Sequence, residues 1–247
     1  MVENARGKHL IKLYNGDCLE IMRNIPDKSI DLVLCDLPYG TTNCKWDNII
    51  PLEPLWEQYN RVIKDNGAIL LFGSELFSSK LRMSNIKNYK YDWIWLKPKG
   101  SGFYNAKKMP LKNHEIISVF YKKLPIYNPQ MTQGKPYKCK QGYVGEYLGA
   151  TDKKVVTVNT GTRYPTSVQK FNIETGYHPT QKPVELLEYL IKTYSNEGET
   201  VLDNCMGSGS TGVAALNTNR KFIGIELDKN YFDIAKNRIE GNVNKTA

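Results

Sequence analysis

The stretch "VLDNCMGSGSTGVAAL", near the end of the chain, constrains the fold more than any other. It reads as a strand, a glycine-rich turn and a helix, with Gly207, Gly209 and Gly212 in the pattern G-x-G-x-x-G. Alone the pattern is weak. Between a strand and a helix it has the context in which a backbone turns sharply and approaches a ligand closely. Only one further strand and helix follow, "KFIGIEL" and "KNYFDIAKNRI". A complete sheet therefore needs the N-terminal strands as its continuation. The expectation is an α/β fold whose sequence order has been cut open and rejoined.

The N-terminal half supplies such strands. "IKLYN", "IDLVLC", "AILLFG", "YDWIWLK" and "HEIISVFYK" are strand-length runs, several of them apolar throughout. Helical patterns lie between them. "CLEIMRNI" is a short helix for which Asp17 is a good N-cap. "LEPLWEQYNRVIK" places Leu55, Tyr59, Val62 and Ile63 on one face, with a C-cap signal at Asn66-Gly67. "PVELLEYLIKTY" puts Pro183 in a first helical turn and Val184, Leu187, Ile191 and Tyr194 on one face. Continuous apolar strands alternating with helices argue for a mostly parallel sheet covered on both faces. Residues 122–176 break this pattern, being polar and rich in Gly, Pro, Tyr and Lys. Irregular segments of that length in compact domains usually carry function. The division expected is a core of residues 1–121 and 177–247 with an inserted region, 122–176.

Charge separates along the same lines. The chain carries +9. From Lys97 to Thr175 there are fourteen Lys and Arg against four Asp and Glu, so this segment holds the whole excess. It also holds seven of the sixteen tyrosines. A basic stretch interleaved with aromatics suits a polyanion, most often nucleic acid. The five cysteines (Cys18, Cys35, Cys44, Cys139, Cys205) form no C-x-x-C pair. They predict neither a zinc site nor a disulfide framework, and no metal is expected. Cys35 and Cys205 read as small core residues. No apolar run approaches the roughly 18 residues of a membrane span, and "MVENARGKHL" lacks the apolar stretch of a secretory signal. Reduced thiols in the cytoplasm are the expectation.

Two carboxylates accompany the glycine turn. Glu226 ends the next strand, seventeen residues after Gly209, where it can accept hydrogen bonds from ribose hydroxyls. Asp203 begins the turn and would repel a phosphate but attract a cationic amine or sulfonium. An adenosine-type cofactor that is not a dinucleotide fits both. A third carboxylate, Asp36, closes the buried run in "DLVLCDLPYG" and is followed by Pro38 and Tyr39. By itself a D-x-P-Y stretch is an ordinary turn.

Taken together these motifs resemble the DNA amino-methyltransferases. "VLDNCMGSGSTG" resembles their S-adenosylmethionine loop, "DLPYG" their catalytic D-P-P-Y tetrad, and "HPTQKPVELLEYLI" the helix that precedes the loop. The order, with tetrad first, basic segment next and cofactor loop last, resembles the β class, a circularly permuted arrangement. The resemblance covers nearly the whole chain outside residues 122–176. It implies a Rossmann-like methyltransferase fold with an inserted target-recognition region, acting on double-stranded DNA with S-adenosyl-L-methionine. It also implies a base flipped out of the duplex, a homodimer or a companion restriction enzyme as possible partners, and a prokaryotic cell or phage-infected host.

The resemblance gives each residue a role. Asp36 and the main-chain carbonyl of Leu37 would accept the two N–H groups of the target amine, and Pro38 and Tyr39 would complete the tetrad, Tyr39 stacking on the flipped base. Leu37 stands where proline is usual, and its side chain is expected to bear on the pocket. Asp17 and Cys18 match the contact to the cofactor adenine. Thr180 and Lys182 lie where its methionine end is expected, with Lys182 suited to pair with the carboxylate. Asp203, Gly207, Gly209 and Glu226 form the rest of the cofactor site. Lys97, Lys99, Lys107 and Lys108 would hold phosphates, which fixes register without reading sequence. Gln133, Gln141, Asn159 and Arg163 are suitable readers of base edges. His114 and His178 are expected to be structural.

The leading Asp of the tetrad favours adenine at its amino nitrogen (N6), since cytosine enzymes of the family more often begin with Ser. Amino-methylation of cytosine at N4 or of RNA, an inactive nucleic-acid-binding protein and a hydride-transfer enzyme are the rival readings. Intact Asp36, Tyr39 and Gly207-Ser208-Gly209 oppose an inactive protein. No proton-relay pair supports hydride transfer.

Overall fold

A computed structural model describes residues 2–4, 11–40, 48–140, 156–177 and 181–246. Thr180, Gln141, His178 and Cys44 lie outside the described residues. Two compact units are present, residues 1–128 with 167–247, and residues 129–166. The smaller unit is narrower than the polar segment 122–176. Residues 122–128 and 167–176 belong to the larger unit.

In chain order the larger unit begins with β1 (Val2–Asn4), β2 (Ile11–Asn15), α1 (Cys18–Met22), β3 (Ile30–Cys35) and α2 (Leu52–Val62). It continues through β4 (Ile63–Gly73), α3 (Phe77–Ser84), β5 (Tyr89–Ser101) and β6 (Lys112–Phe120). The smaller unit holds β7 (Thr132–Gln133), β8 (Tyr137–Lys140), β9 (Val156–Asn159) and β10 (Thr162–Arg163). The larger unit resumes with β11 (Val168–Lys170), α4 (Val184–Tyr194), β12 (Thr200–Asp203), α5 (Ser210–Asn217), β13 (Lys221–Glu226) and α6 (Lys229–Thr246).

Nine strands of the larger unit form one sheet in the order β1-β2-β13-β12-β3-β4-β6-β5-β11. The stretch from β2 to β4 is parallel throughout. β6 runs antiparallel between β4 and β5, so β5 points the same way as β3. The N-terminal strand β2 does continue the sheet beyond β13, pairing from Phe222↔Ile11 to Glu226↔Asn15. The permuted order is thus met by direct pairing of the first and last parts of the chain.

Both faces are covered. Leu32 and Leu34 of β3 face a core with α4, α5 and α6, including Leu187, Ile191, Ala214 and Ile239. Val33 and Cys35 face the opposite core, with Leu55, Tyr59 and Leu81 of α2 and α3. All six residues of β3 are buried, which is why the run carries no polar alternation. Cys35 is core as expected, whereas Cys205 is half-buried at its edge.

Two local readings change. Helix α2 ends at Val62, and Asn66-Gly67 lie inside β4 rather than at a helix cap. A Cβ on Gly67 would come within 2.8 Å of the Asp31 carbonyl oxygen. Glycine is therefore needed there for close approach to β3, where the register shifts. Pro183 is the N-cap of α4 and stands just before its first turn.

In the smaller unit β7 pairs with β10 and β8 with β9, both antiparallel. Arg163 Nη1 donates to Asn159 Oδ1 and to the Thr162 carbonyl at 2.9 Å, and Nη2 donates to the Lys135 carbonyl. Its guanidinium also lies 4.7 Å from the Tyr137 ring centre. Among the described residues no helix is long and apolar enough to cross a membrane.

Candidate active site

The winding of the sheet reverses between β12 and β3. From β12 it proceeds to β13 and β2, and from β3 the other way to β4. A crevice opens at the carboxyl ends of strands beside such a reversal, and ligands of open α/β sheets bind there. Four neighbouring strands reach this edge with a carboxylate at or just past the end: Asp17 after β2, Glu226 on β13, Asp203 on β12 and Asp36 after β3. At about 4.8 Å between strands, the row is about 14 Å long.

Asp17 caps α1, its Oδ1 accepting from Leu19 N at 2.7 Å and Glu20 N at 3.3 Å. Cys18, the first residue of that helix, is buried. Glu226 Oε2 accepts from Gly207 N at 2.8 Å and Oε1 from Asp228 N at 2.9 Å. Each oxygen keeps a second lone pair. Asp203 is buried, and its Oδ1 accepts from Cys205 N at 3.1 Å. Burial pushes its carboxyl up to about 6, against the pull of hydrogen bonds from Thr211 and Cys205. The glycines divide the work of the turn. Gly207 has φ +50° with nothing within 4 Å of where a Cβ would stand, and Gly209 has φ +80° at the N-cap of α5. Gly212 serves packing, since a Cβ there would run into Ile239 and would lie 2.8 Å from Phe222. Tyr59 donates to Asn204 Oδ1 at 2.5 Å and fixes the turn from the opposite face.

Around Asp36 the structure assembles a chain of alternating charge. Asp36 Oδ1 accepts from the Tyr39 hydroxyl at 2.5 Å, and Oδ2 accepts from Lys182 Nζ. Lys182 Nζ also lies 3.4 Å from Glu115 Oε2, and Lys97 Nζ donates to Glu115 Oε1. Lys182 is buried, 5.3 Å from the centre of the Phe72 ring. Burial raises the Asp36 carboxyl, Lys182 opposes it, and the net direction is upward. Burial also pushes Glu115 up, but Lys182 and Lys97 outweigh it and hold its carboxyl below the usual range. Tyr39 stacks on Phe77 of α3, centroids 5.2 Å apart at 29°.

Several expectations shift with this geometry. Lys182 engages Asp36 and Glu115, rather than standing apart to receive a ligand carboxylate. Lys97 lies on Glu115 and over the Trp95 ring at 4.6 Å, inside the site's ion chain rather than on an open face. Leu37 is 3% exposed and packs in the core with Cys35 and Leu71, so its side chain is turned away from the pocket. Pro38 is half-buried. Lys99 is exposed near the end of β5, and Lys107 and Lys108 are exposed on the turn between β5 and β6. Gln133 is exposed on β7. Asn159 has both ends of its amide engaged: Nδ2 on the Thr162 carbonyl at 2.9 Å, Oδ1 on Gly161 N at 2.8 Å and on Arg163. Asn159 and Arg163 therefore brace their own unit. Glu115 went unread in the sequence. Its signal was a carboxylate, Glu115, inside the apolar run "HEIISVF", which a buried strand tolerates only with a partner.

The class of protein defined so far is an α/β enzyme-like fold with an acidic row at its switch point and a carboxylate–tyrosine pair beside it. Residues 30–237 match the family N6_N4_Mtase, DNA methylase. The chain is 30% identical to the type II methyltransferase M.BglII of Bacillus subtilis, covering 95% of this chain and 70% of that one. It is 28% identical to the type II methyltransferase M.HpaI of Haemophilus parainfluenzae, covering 94% and 75%. Among solved structures it is similar to the M1.HpyAVI–SAM complex (TM-score 0.65, 26% identity, 92% of this chain and 99% of that one). The PvuII cytosine-N4-specific DNA methyltransferase shares the fold at TM-score 0.68 and 17% identity, over 95% and 92%. The chain belongs to the DNA methylase family.

Proposed function

We propose that this DNA methyltransferase transfers a methyl group from S-adenosylmethionine to the N6 amino nitrogen of adenine in double-stranded DNA, in the cytoplasm of a prokaryotic cell or phage-infected host. The observation that carries the reading is the placement of Asp36 and Asp203 at the ends of adjacent strands, β3 and β12, on either side of the switch point. S-adenosylmethionine supplies an electrophilic methyl on a sulfonium. The residues present fit it: Asp203 offers a negative charge, Glu226 has lone pairs for ribose hydroxyls, and Gly207 leaves open space where a side chain would stand. Asp36 accepts one N–H of the target amine and the Leu37 carbonyl the other, which localises the nitrogen lone pair and stabilises positive charge as it develops. Tyr39, held flat against Phe77, offers its other face to the flipped base. Lys182 opposes the effect of burial on the Asp36 carboxyl and favours its charged form. The leading Asp of the tetrad supports adenine. Digesting methylated DNA to nucleosides and weighing the product tests this, and amino-methylated cytosine alone would overturn the base while leaving the chemistry.

Sequence reading belongs in this proposal to the unit 129–166. Exchanging it for that of a relative with another target is expected to change the sequence methylated. An active chimera with unchanged specificity would show that bases are read elsewhere. Replacing Lys107 and Lys108 with alanine is expected to weaken binding to all DNA alike. The slope of log affinity against log salt should then shrink by about 2, one for each phosphate no longer neutralised.

A further inference from the structure

The turn between β5 and β6 has a construction that methyl transfer by Asp36 does not call for. It leaves the sheet at the same edge as the site, because β5 points the same way as β3. Its tip displays Phe103, Tyr104 and Met109, which are 72%, 97% and 57% exposed. Single exposed apolar side chains are ordinary. Three within seven residues, two of them aromatic and the whole flanked by exposed Lys99, Lys107 and Lys108, form a patch that water disfavours and a polyanion does not.

The tip is also built to hold its shape. Gly102, at φ +89°, starts a turn closed by Asn105 N to Gly102 O at 2.9 Å, Ala106 N to Phe103 O at 3.1 Å and Lys108 N to Asn105 O at 2.8 Å. At its base Ser101 Oγ donates to the Lys112 carbonyl at 3.1 Å, and Lys112 Nζ donates to Ser74 Oγ at the end of β4. Gly100 lets the arms close, since a Cβ there would lie 2.8 Å from Leu111 Cβ. Lys97, in the ion chain of Asp36, is six residues before Phe103. At about 3.3 Å per residue the tip stands up to about 20 Å beyond that chain, about the width of a duplex.

We propose that Phe103 and Tyr104 are a wedge that enters the base stack beside the target nucleotide and fills the gap it leaves, with Lys107 and Lys108 on the flanking phosphates. The inference rests on the proposed base-flipping reaction. A flipped base leaves its neighbours unstacked, and an apolar or aromatic side chain inserted between steps offsets that loss. Any base presents a π-face, so the wedge favours flipping without reading sequence.

The test compares wild type with Phe103→Ala/Tyr104→Ala. The substrates are duplexes carrying the sequence found methylated by mapping modified bases, with the target either paired or opposite an abasic site. On the paired duplex kcat/KM is expected to fall at least tenfold. On the abasic duplex, where the target is already loosened, the two proteins should agree within about threefold. The fluorescence rise of 2-aminopurine at the target on enzyme binding should be lost in the variant and restored in Phe103→Tyr/Tyr104→Phe. Melting temperature and S-adenosylmethionine affinity should not move. A variant as active as wild type on paired DNA overturns the wedge. So does an equal loss on both duplexes, or a loss explained by a change in oligomeric state seen in sedimentation. Mapping that finds no methylated base in DNA treated with the wild type overturns the functional reading itself, a result distinct from all three.

Discussion

Asp36→Ala is expected to reduce methyl transfer by at least 10²- to 10³-fold, the range seen when one preorganised group facing developing charge is removed. S-adenosylmethionine affinity should stay within a few fold, because Asp36 is proposed to hold the target amine and not the cofactor. The change also removes one of the two carboxylates that face buried Lys182 among the described residues, which makes Asp36→Asn the companion variant. Asparagine keeps an acceptor oxygen but not the charge, so it should retain more stability than alanine and still lose most activity. Single-turnover methylation and calorimetric titration of the cofactor separate the two effects. Loss of cofactor binding in a folded Asp36→Ala protein would remove Asp36 from its assigned role. Glu115→Gln is expected to act through Lys182, lowering turnover while leaving KM for the cofactor unchanged.

Asp203 and Glu226 should show the opposite pattern. Asp203→Asn or Glu226→Ala is expected to weaken S-adenosylmethionine by roughly 10- to 100-fold, the loss of a charge-assisted hydrogen bond. Asp203 adds a pH dependence whose sign is fixed. Its folded carboxyl sits at about 6 against an ordinary 3.8, raised first by burial. Between those values the folded state holds a proton that the unfolded chain has released. The stability it contributes is full below about pH 4 and lost as pH rises through about 6. The ligand-free Asp203→Asn protein should therefore melt above wild type at pH 8, with the gap closing towards pH 4. Wild-type affinity for the cofactor should fall as pH drops through 6. Thermal melts and titrations at pH 5 and 8 check both. Unchanged cofactor affinity in Asp203→Asn and Glu226→Ala alike would leave the glycine turn a purely structural element.

Much of this was legible without coordinates, for local reasons. A strand running into Gly207 and Gly209 has few conformations open to it, and both residues take the positive φ that the pattern anticipates. Asp17 capping α1 is settled within three residues. The buried β3 announces itself as a run of apolar residues broken only by Asp31, because a strand covered on both faces excludes polar residues that lack a partner. The inward turn of Leu37 was not read from the sequence, although Val33, Cys35 and Leu37 follow one another at period two on one face.

The sequence by itself therefore determined most elements of the larger unit, their permuted order and the residue types at the strand ends, because short-range hydrogen bonding and hydrophobic period decide these. Only the tertiary structure decided which of them meet. Lys182 reaches Asp36 across 146 positions, and Glu115 joins them from a strand of opposite direction. No spacing encodes such contacts, because they depend on sheet order and on which face each strand presents. The same holds for Asn159 and Arg163, whose donors and acceptors satisfy their own unit's backbone. Their chemistry suited base reading, but a hydrogen-bonding group is free for a ligand only where folding has not already paired it.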